Sequence, residues 1–257
     1  MPEISAVIIT FNEERYIGRC ISSLEGIADE VIVVDSFSTD GTREICLNHN
    51  VKFSQHRFEG YVEQKNYAMS VAANKWILSL DADEALSDES RRSILEIKDN
   101  LNHEGYIFNR LNNYCGKWIR YSRWYPDRHM RLFDRTKGRW TGLNPHDSFR
   151  LDKGNRSLRL KGDIHHIFYE SIEEHVEKTN RFSTISADAY FRAGRKAGPL
   201  TAHFHMVWSF FRSFILNAGF LDGYYGYMGC MISAMGTFLK YSKLRNLQYQ
   251  AKHSMKK

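Results

Sequence analysis

Residues 76–86 read WILSLDADEAL, and the fold turns on them. Trp76 to Leu80 form a short, mostly apolar run that ends directly in Asp81-Ala82-Asp83. A run of this kind reads as a strand buried on both faces, as in a parallel sheet. Two cleaner runs lie upstream, ISAVII at 4–9 and VIVV at 31–34, with a shorter one at 51–54. Helical patterns separate them. Ile17, Cys20, Ile21 and Leu24 share a face over 13–24; Ile45 and Leu47 point inward over 42–48; Tyr61, Lys65, Ala68 and Ala72 follow helical spacing over 61–73. The alternation predicts right-handed crossovers and an α/β fold, a sheet with helices on both faces.

In such a sheet the ligand crevice lies outside the carboxyl ends of the strands. Three strands here end in polar or acidic residues: the first in Thr10-Phe11-Asn12-Glu13-Glu14, the second in Asp35, the third in Asp81 and Asp83. Extended backbone points side chains two apart to the same side, so Asp81 and Asp83 suit a hard divalent cation, Mg²⁺ or Mn²⁺, shared with a diphosphate. The bland alternative is that either aspartate caps the turn that follows.

Beyond residue 87 the pattern changes. Ser87 is placed to cap a helix over about 88–100, with Asp88 and Glu89 in its first turn. Strand-like pieces follow at 105–109 and 129–133. Between them, 112–127 is rich in aromatics, arginine and turn formers and reads as a binding loop. Residues 171–193 read as a helix opened by a Ser171/Glu174 capping box, with Ile172, Val176, Thr179, Ile185 and Ala189 on its inner face. The expected division is 1–165, the domain that carries the sheet and its crevice, and 166–257, a helical extension.

Composition limits the classes available. At 257 residues, 42% hydrophobic and 26% charged, the chain is neither disordered nor collagen-like. Its four cysteines are scattered, with no CxxC pair, and read as free thiols. The start, MPEISAVIIT, lacks the basic and long apolar regions of a secretory signal, which makes the cytoplasm the expectation. The net charge is +6, but residues 178–257 hold twelve Lys/Arg against Asp188 and Asp222 alone. Residues 199–241 mix aromatic and apolar runs interrupted by Arg212 and Asp222, and the uncharged stretch 223–239 is shorter than the ~20 residues that span a bilayer. Two amphipathic interfacial helices against an anionic membrane surface are expected, with a helical cap or a dimer interface as the alternative.

Together VIITFNEERYIGRCISSL, VIVVDSFSTDGT, QKNYAM and WILSLDADE resemble the family 2 glycosyltransferases with the GT-A fold, over about residues 4–150. More narrowly, YCGKWIRYSRWYPDRHMRLF, GRW, NPHDSF and the tail segments AGFLDGYYG and FLKYSKL are similar to the branch that includes lipopolysaccharide inner-core β-1,4-glucosyltransferases. The resemblance implies a GT-A (Rossmann-like) mixed sheet and an inverting, metal-dependent hexosyl transfer. The donor would be a nucleotide sugar such as UDP-glucose and the acceptor a cell-envelope glycan such as the lipopolysaccharide inner core, or another lipid-linked or polysaccharide acceptor, at the inner face of the cytoplasmic membrane. Thr10, Asn12 and Glu14 would line the nucleoside pocket, Asp35 would bind the base or ribose, and Lys65 would lie near the base and diphosphate. Asp83 would be the principal metal ligand, with Asp81 toward ribose and metal.

Two departures stand out. Phe37 occupies a position that is often glycine in the family. The downstream catalytic carboxylate, often in a His-Glu pair, is matched by His146-Asp147, so Asp147 is the expected base, with Asp127, Asp134 and Asp163 as rivals. Trp118, Arg120, Arg123, Trp124, Arg128, Arg131 and His146 are the candidate acceptor contacts, because rings stack on sugars and guanidinium forks bind phosphate; the alternative is a packed hairpin with a solvated arginine face. His165-His166 reads as structural, since adjacent side chains rarely reach one ion.

Two other classes compete. A sugar-phosphate nucleotidyltransferase would want a Gly-rich phosphate loop after the first strand, where TFNEER has none. A nucleic-acid-binding protein would fit the basic balance, but no binding motif occurs.

Overall fold

The computed structural model describes residues 2–143 and 146–254. The chain divides into two compact units, Met1–Leu111 with Asp127–His166, and Asn112–Pro126 with Ile167–Lys257. The expected split at 165/166 did not anticipate that 112–126 joins the C-terminal unit.

In the first unit, β1 (Ile4–Thr10), β2 (Glu30–Asp35), β3 (Lys52–Gln55) and β4 (Trp76–Asp81) are parallel and lie in the order β3-β2-β1-β4. Helices α1 (Ile17–Ser22), α2 (Thr42–Asn48) and α3 (Tyr61–Ser70) connect them. The strand period of two divides the sheet's residues between two cores. Ile4, Ala6 and Ile8 of β1, Val33 of β2, and Trp76, Leu78 and Leu80 of β4 enter one cluster with α1. Val7, Ile32, Val34 and Ile77 enter the other with Ala68 of α3. That two-sided burial is why these strands have so little polar alternation.

Beyond β4 the sheet becomes mixed. β5 (Glu84–Leu86) pairs with β11 (Ser157–Tyr169), and β8 (Asp127–Asp134) runs antiparallel to both β4 and β6 (Gly105–Tyr114). A separate two-stranded ribbon joins β9 (Gly138–Leu143) to β10 (His146–Leu151), with Asp147 opposite Gly142. Helix α4 (Asp88–Lys98) is capped by Ser87 Oγ, which accepts from Ser90 N at 3.2 Å. Gly162 has φ +83°, and a Cβ there would lie 2.1 Å from Ser90 N, so glycine is required where β11 meets the start of α4.

Two helix faces differ from the sequence expectation. In α2 Cys46 is buried while Leu47 is exposed. In α5 (Ile172–Arg192) the buried positions are His175, Ser183 and Ala187, whereas Val176, Ile185 and Ala189 face outward. The buried polar residues explain the rotation. His175 Nδ1 lies 3.1 Å from the Tyr114 hydroxyl, and Ser183 Oγ accepts from Lys243 Nζ at 2.8 Å. An apolar-only reading misses a face built on hydrogen bonds.

The second unit contains the end of β6, β7 (Lys117–Ile119), α5, α6 (Thr201–Phe211) and α7 (Gly223–Ser254). No helix among the described residues is long and apolar enough to cross a membrane. Tyr114 is the hub of an aromatic cluster and meets Trp124, Tyr169, His175 and Tyr225 edge-on. Asp222 accepts from the backbone N–H groups of Arg120 and Tyr121 at 3.0 and 2.9 Å, which fixes the loop after β7.

Burial within this cluster pushes the His175 pKa down from 6.5 to about 4, against the nearby Glu174 charge. The unfolded chain therefore takes up a proton that the native state refuses, and this contribution to stability, full above pH 6.5, is lost as pH falls toward 4. At about 1.4 kcal/mol per pKa unit the expected loss is on the order of 2–3 kcal/mol. Urea unfolding of the wild type and His175→Phe at pH 7 and pH 4.5 measures it: the variant should lose less stability on acidification.

Candidate active site

The carboxyl ends of β1, β2 and β4 fall at one sheet edge. Thr10 sits opposite Asp35, and Ile9 opposite Asp81. The loop after β1 is laced to the loop after β2: Asn12 Oδ1 accepts from Thr39 N and Glu14 Oε2 from Gly41 N, each at 2.8 Å. Asp35 is fully buried and accepts from Ser38 N at 3.0 Å, from Ser38 Oγ, and from Gln55 Nε2 at 3.1 Å. Asn12, Glu14 and Asp35, expected at the nucleoside, thus also build the loops of that edge. Thr10 Oγ1 is buried with no hydrogen-bond partner among the described residues. Phe37 has φ 63°, the left-handed conformation that glycine adopts freely, and its ring is exposed, as is that of Phe11.

Lys65, buried on α3, joins two strands' carboxylates. Its Nζ lies 2.9 Å from Asp81 Oδ1 and 2.8 Å from Asp147 Oδ2, and 4.7 Å from the Trp140 ring centroid. Asn66, the next residue, donates to Trp140 O at 3.2 Å and accepts from Trp140 N at 3.3 Å, which ties α3 to the ribbon carrying Asp147. Asp81 and Asp147 are thus held against one ammonium although they are 66 positions apart in sequence.

The charge alternation continues inward. Arg131 Nη2 contacts Asp81 Oδ2 at 3.1 Å and Glu84 Oε1 at 2.5 Å. Arg110 contacts Glu84 at 3.4 Å and Asp127 at 2.8 Å, and His129 Nε2 lies 2.9 Å from Asp127. Burial alone would raise the Asp81 pKa, but Lys65 and Arg131 outweigh it and hold the carboxyl far below the usual range. Arg131 is raised in turn: its burial is outweighed by Glu84 and Asp81.

Arg131, expected among the acceptor contacts, is instead buried, and its charged partners are these two carboxylates. Of the rival bases, Asp127 is committed to Arg110 and His129, and Asp134 to Lys75 and Thr136. Trp124 packs against Tyr114, Phe168 and His175 in the second unit. Trp118 is half-buried on β7, also in the second unit, and Arg128 is exposed on β8. The side chain of His146 lies outside the described residues.

Asp83 stands apart from this chain of charges. Its Oδ2 lies 3.2 Å from His166 Nε2, and its Oδ1 is buried with no hydrogen-bond partner among the described residues. A buried carboxylate oxygen without a donor is costly unless a cation or water completes it, so Asp83 fits a metal ligand, with His166 beside it. Among the described residues no three His, Cys, Asp or Glu side chains cluster as a metal cage.

Glu84 and Arg110 were not singled out from the sequence, and His166 was read as structural. Glu84 was legible only as the fourth letter of DADE. His166 needed the β5–β11 register, which sets it opposite Glu84.

Removing Arg131 would leave Glu84, which is 0% exposed, with the Asp81 N–H at 3.0 Å and, among the described residues, one cation, Arg110, at 3.4 Å. Arg131→Met should lower unfolding free energy by about 3–5 kcal/mol, as expected for an uncompensated buried charge. Adding Glu84→Gln should recover part of that loss in urea titrations.

The family model "Glycosyl transferase family 2" matches residues 5–157. An uncharacterized glycosyltransferase of Rickettsia bellii is 34% identical, over 96% of this chain and 88% of its own. The lipopolysaccharide core biosynthesis glycosyltransferase LpsC of Rhizobium meliloti is 30% identical, over 98% of this chain and 94% of its own. A solved structure similar to this chain, S. aureus TarS 1-349 in complex with UDP, has TM-score 0.48 and 20% identity, over 98% of this chain and 87% of that one. With the parallel β3-β2-β1-β4 edge and its acidic carboxyl ends, the family match places this chain among the family 2 glycosyltransferases of the GT-A type.

Proposed function

We propose that this protein transfers a hexose, with inversion, from a UDP-sugar such as UDP-glucose to a glycan of the cell envelope, the lipopolysaccharide core being the leading candidate. The carrying observation is Lys65, which brings Asp147 to the edge where β4 ends. The name of LpsC, similar over nearly the whole chain, supports the acceptor class. A place at the cytoplasmic face of the membrane that carries such acceptors belongs to the same reading.

The acceptor hydroxyl loses its proton to an Asp147 oxygen as its own oxygen attacks the anomeric carbon. The bond from that carbon to the nucleoside diphosphate breaks on the opposite face, so an α-linked donor gives a β-linked product, with no covalent glycosyl-enzyme. Lys65 and the α3–β9 bonds hold Asp147 in place for this step. Thr10, whose hydroxyl has no partner among the described residues, and the loops built by Asn12, Glu14 and Asp35 form the edge for the nucleoside. Asp83 and His166 would hold a divalent cation, Mg²⁺ or Mn²⁺, which when bound would supply charge stabilisation to the departing diphosphate.

General-base catalysis contributes about 10²–10⁴-fold. Asp147→Asn should therefore lose at least about 10²-fold in kcat with UDP binding retained. Asp83→Ala should lose metal-dependent UDP binding itself. Release of UDP from a panel of UDP-sugars, with and without chelator, together with UDP titration calorimetry on both variants, measures these outcomes. Near-wild-type turnover in Asp147→Asn would remove it as the base.

A further inference from the structure

The second unit displays an apolar face that is left exposed among the described residues. From the N-cap Leu200 through α6, the positions Leu200, Phe204, Val207, Trp208 and Phe211 recur at three- and four-residue spacing, and Ile215 continues them through the turn after the helix; all are exposed, Phe204 by 70% and Trp208 by 53%. At 100° per residue those from Leu200 to Phe211 fall within one narrow stripe. The opposite side of the same helix is satisfied: Ala202 is buried, His205 stacks on Tyr241 at 4.2 Å, and Phe210 meets Tyr227 edge-on at 5.9 Å. The outward stripe is thus a second apolar face and not the helix's packing face. It extends through the following turns, where Leu216, Phe220 and Leu221 are also exposed. Contiguous apolar exposure on this scale marks an interaction site.

Charge chooses the partner. No Asp or Glu occurs in 189–221, and Arg212 lies exposed beside the stripe. Arg192, Arg195 and Lys196, all exposed, precede Leu200 by at most eight residues. A second copy of this chain would bring two such basic sets together and repel itself. An anionic lipid surface satisfies both features, taking the rings at its interface and the guanidinium and ammonium groups at its headgroups. We infer that the α6 stripe and the turns that follow dock this protein, without spanning, on an anionic bilayer. This deepens the membrane-face location proposed above, and lipid binding can fail separately from sugar transfer.

The test uses the full chain, without substrates, and vesicles of phosphatidylcholine alone or mixed equally with phosphatidylglycerol. The wild type should co-sediment with the anionic vesicles and shift its tryptophan emission to the blue. The triple variant Phe204→Ser, Trp208→Ser, Phe211→Ser alters only surface side chains, and circular dichroism should report an unchanged fold. Its vesicle partitioning should fall at least tenfold. Arg212→Gln should weaken binding to anionic vesicles about fivefold. UDP release by the same variants, on a soluble acceptor, separates a docking defect from a catalytic one. Wild type that stays in the supernatant, a triple variant that binds as well as wild type, or dimerisation in analytical ultracentrifugation that the triple variant abolishes while vesicle binding persists would each overturn the inference.

Discussion

One buried ammonium organises the first unit's polar centre. Lys65 comes from α3, Asp81 from the end of β4 and Asp147 from the β9–β10 ribbon, and both carboxylates lie within 3 Å of its Nζ. A lysine this buried is tolerated only because the two negative groups offset its desolvation, and they in turn need it. Arg131 repeats the arrangement one step inward, between Asp81 and Glu84. The result is a run of alternating charges whose members fix one another's geometry. A carboxylate held this way keeps its place through paired charges on a helix and a strand, the kind of fixed geometry that proximity effects demand.

The parallel half of the fold was plain in the sequence because its physics is local. ISAVII, VIVV and WILSL lack polar alternation since both faces of those strands are covered, and Ile17, Cys20, Ile21 and Leu24 are all buried as their spacing predicts. The errors arose where burial is polar. Leu47 looked inward and is exposed, Cys46 being the residue that packs. In α5 the inner face holds His175 and Ser183, whose partners Tyr114 and Lys243 are 61 and 60 residues away, so no window over the helix reveals them. Residues 112–126 looked like a loop because their strand partners and aromatic neighbours lie partly in distant segments.

The site was legible as a set of acids and much less as a set of pairs. The carboxylates after the strands and in His146-Asp147 could be found by motif. Which cation each one meets could not, because Arg131 and His166 lie on strands whose register is set by the whole sheet. Arg131 illustrates the limit: among Trp118, Arg120, Arg123 and Trp124 it has the composition of a sugar- or phosphate-binding surface, yet its position on β8 turns it inward to Asp81 and Glu84. Phe37 is a different case: a non-glycine residue that adopts, at φ 63°, the left-handed conformation glycine favours.

The division of the chain has a bearing on how the protein is made. The C-terminal unit takes Asn112–Pro126 from the middle of the sequence and the rest from Ile167 onward. During synthesis the early piece leaves the ribosome well before its companions and must wait, with Tyr114 and Trp124 unpacked, until α5 and α7 emerge. Aromatic side chains left waiting invite chaperone capture. A gene cut at the join near residue 166 would strand Tyr114 and Trp124 on the wrong fragment, away from Tyr169, His175 and Tyr225, so neither half made alone would be a whole folding unit.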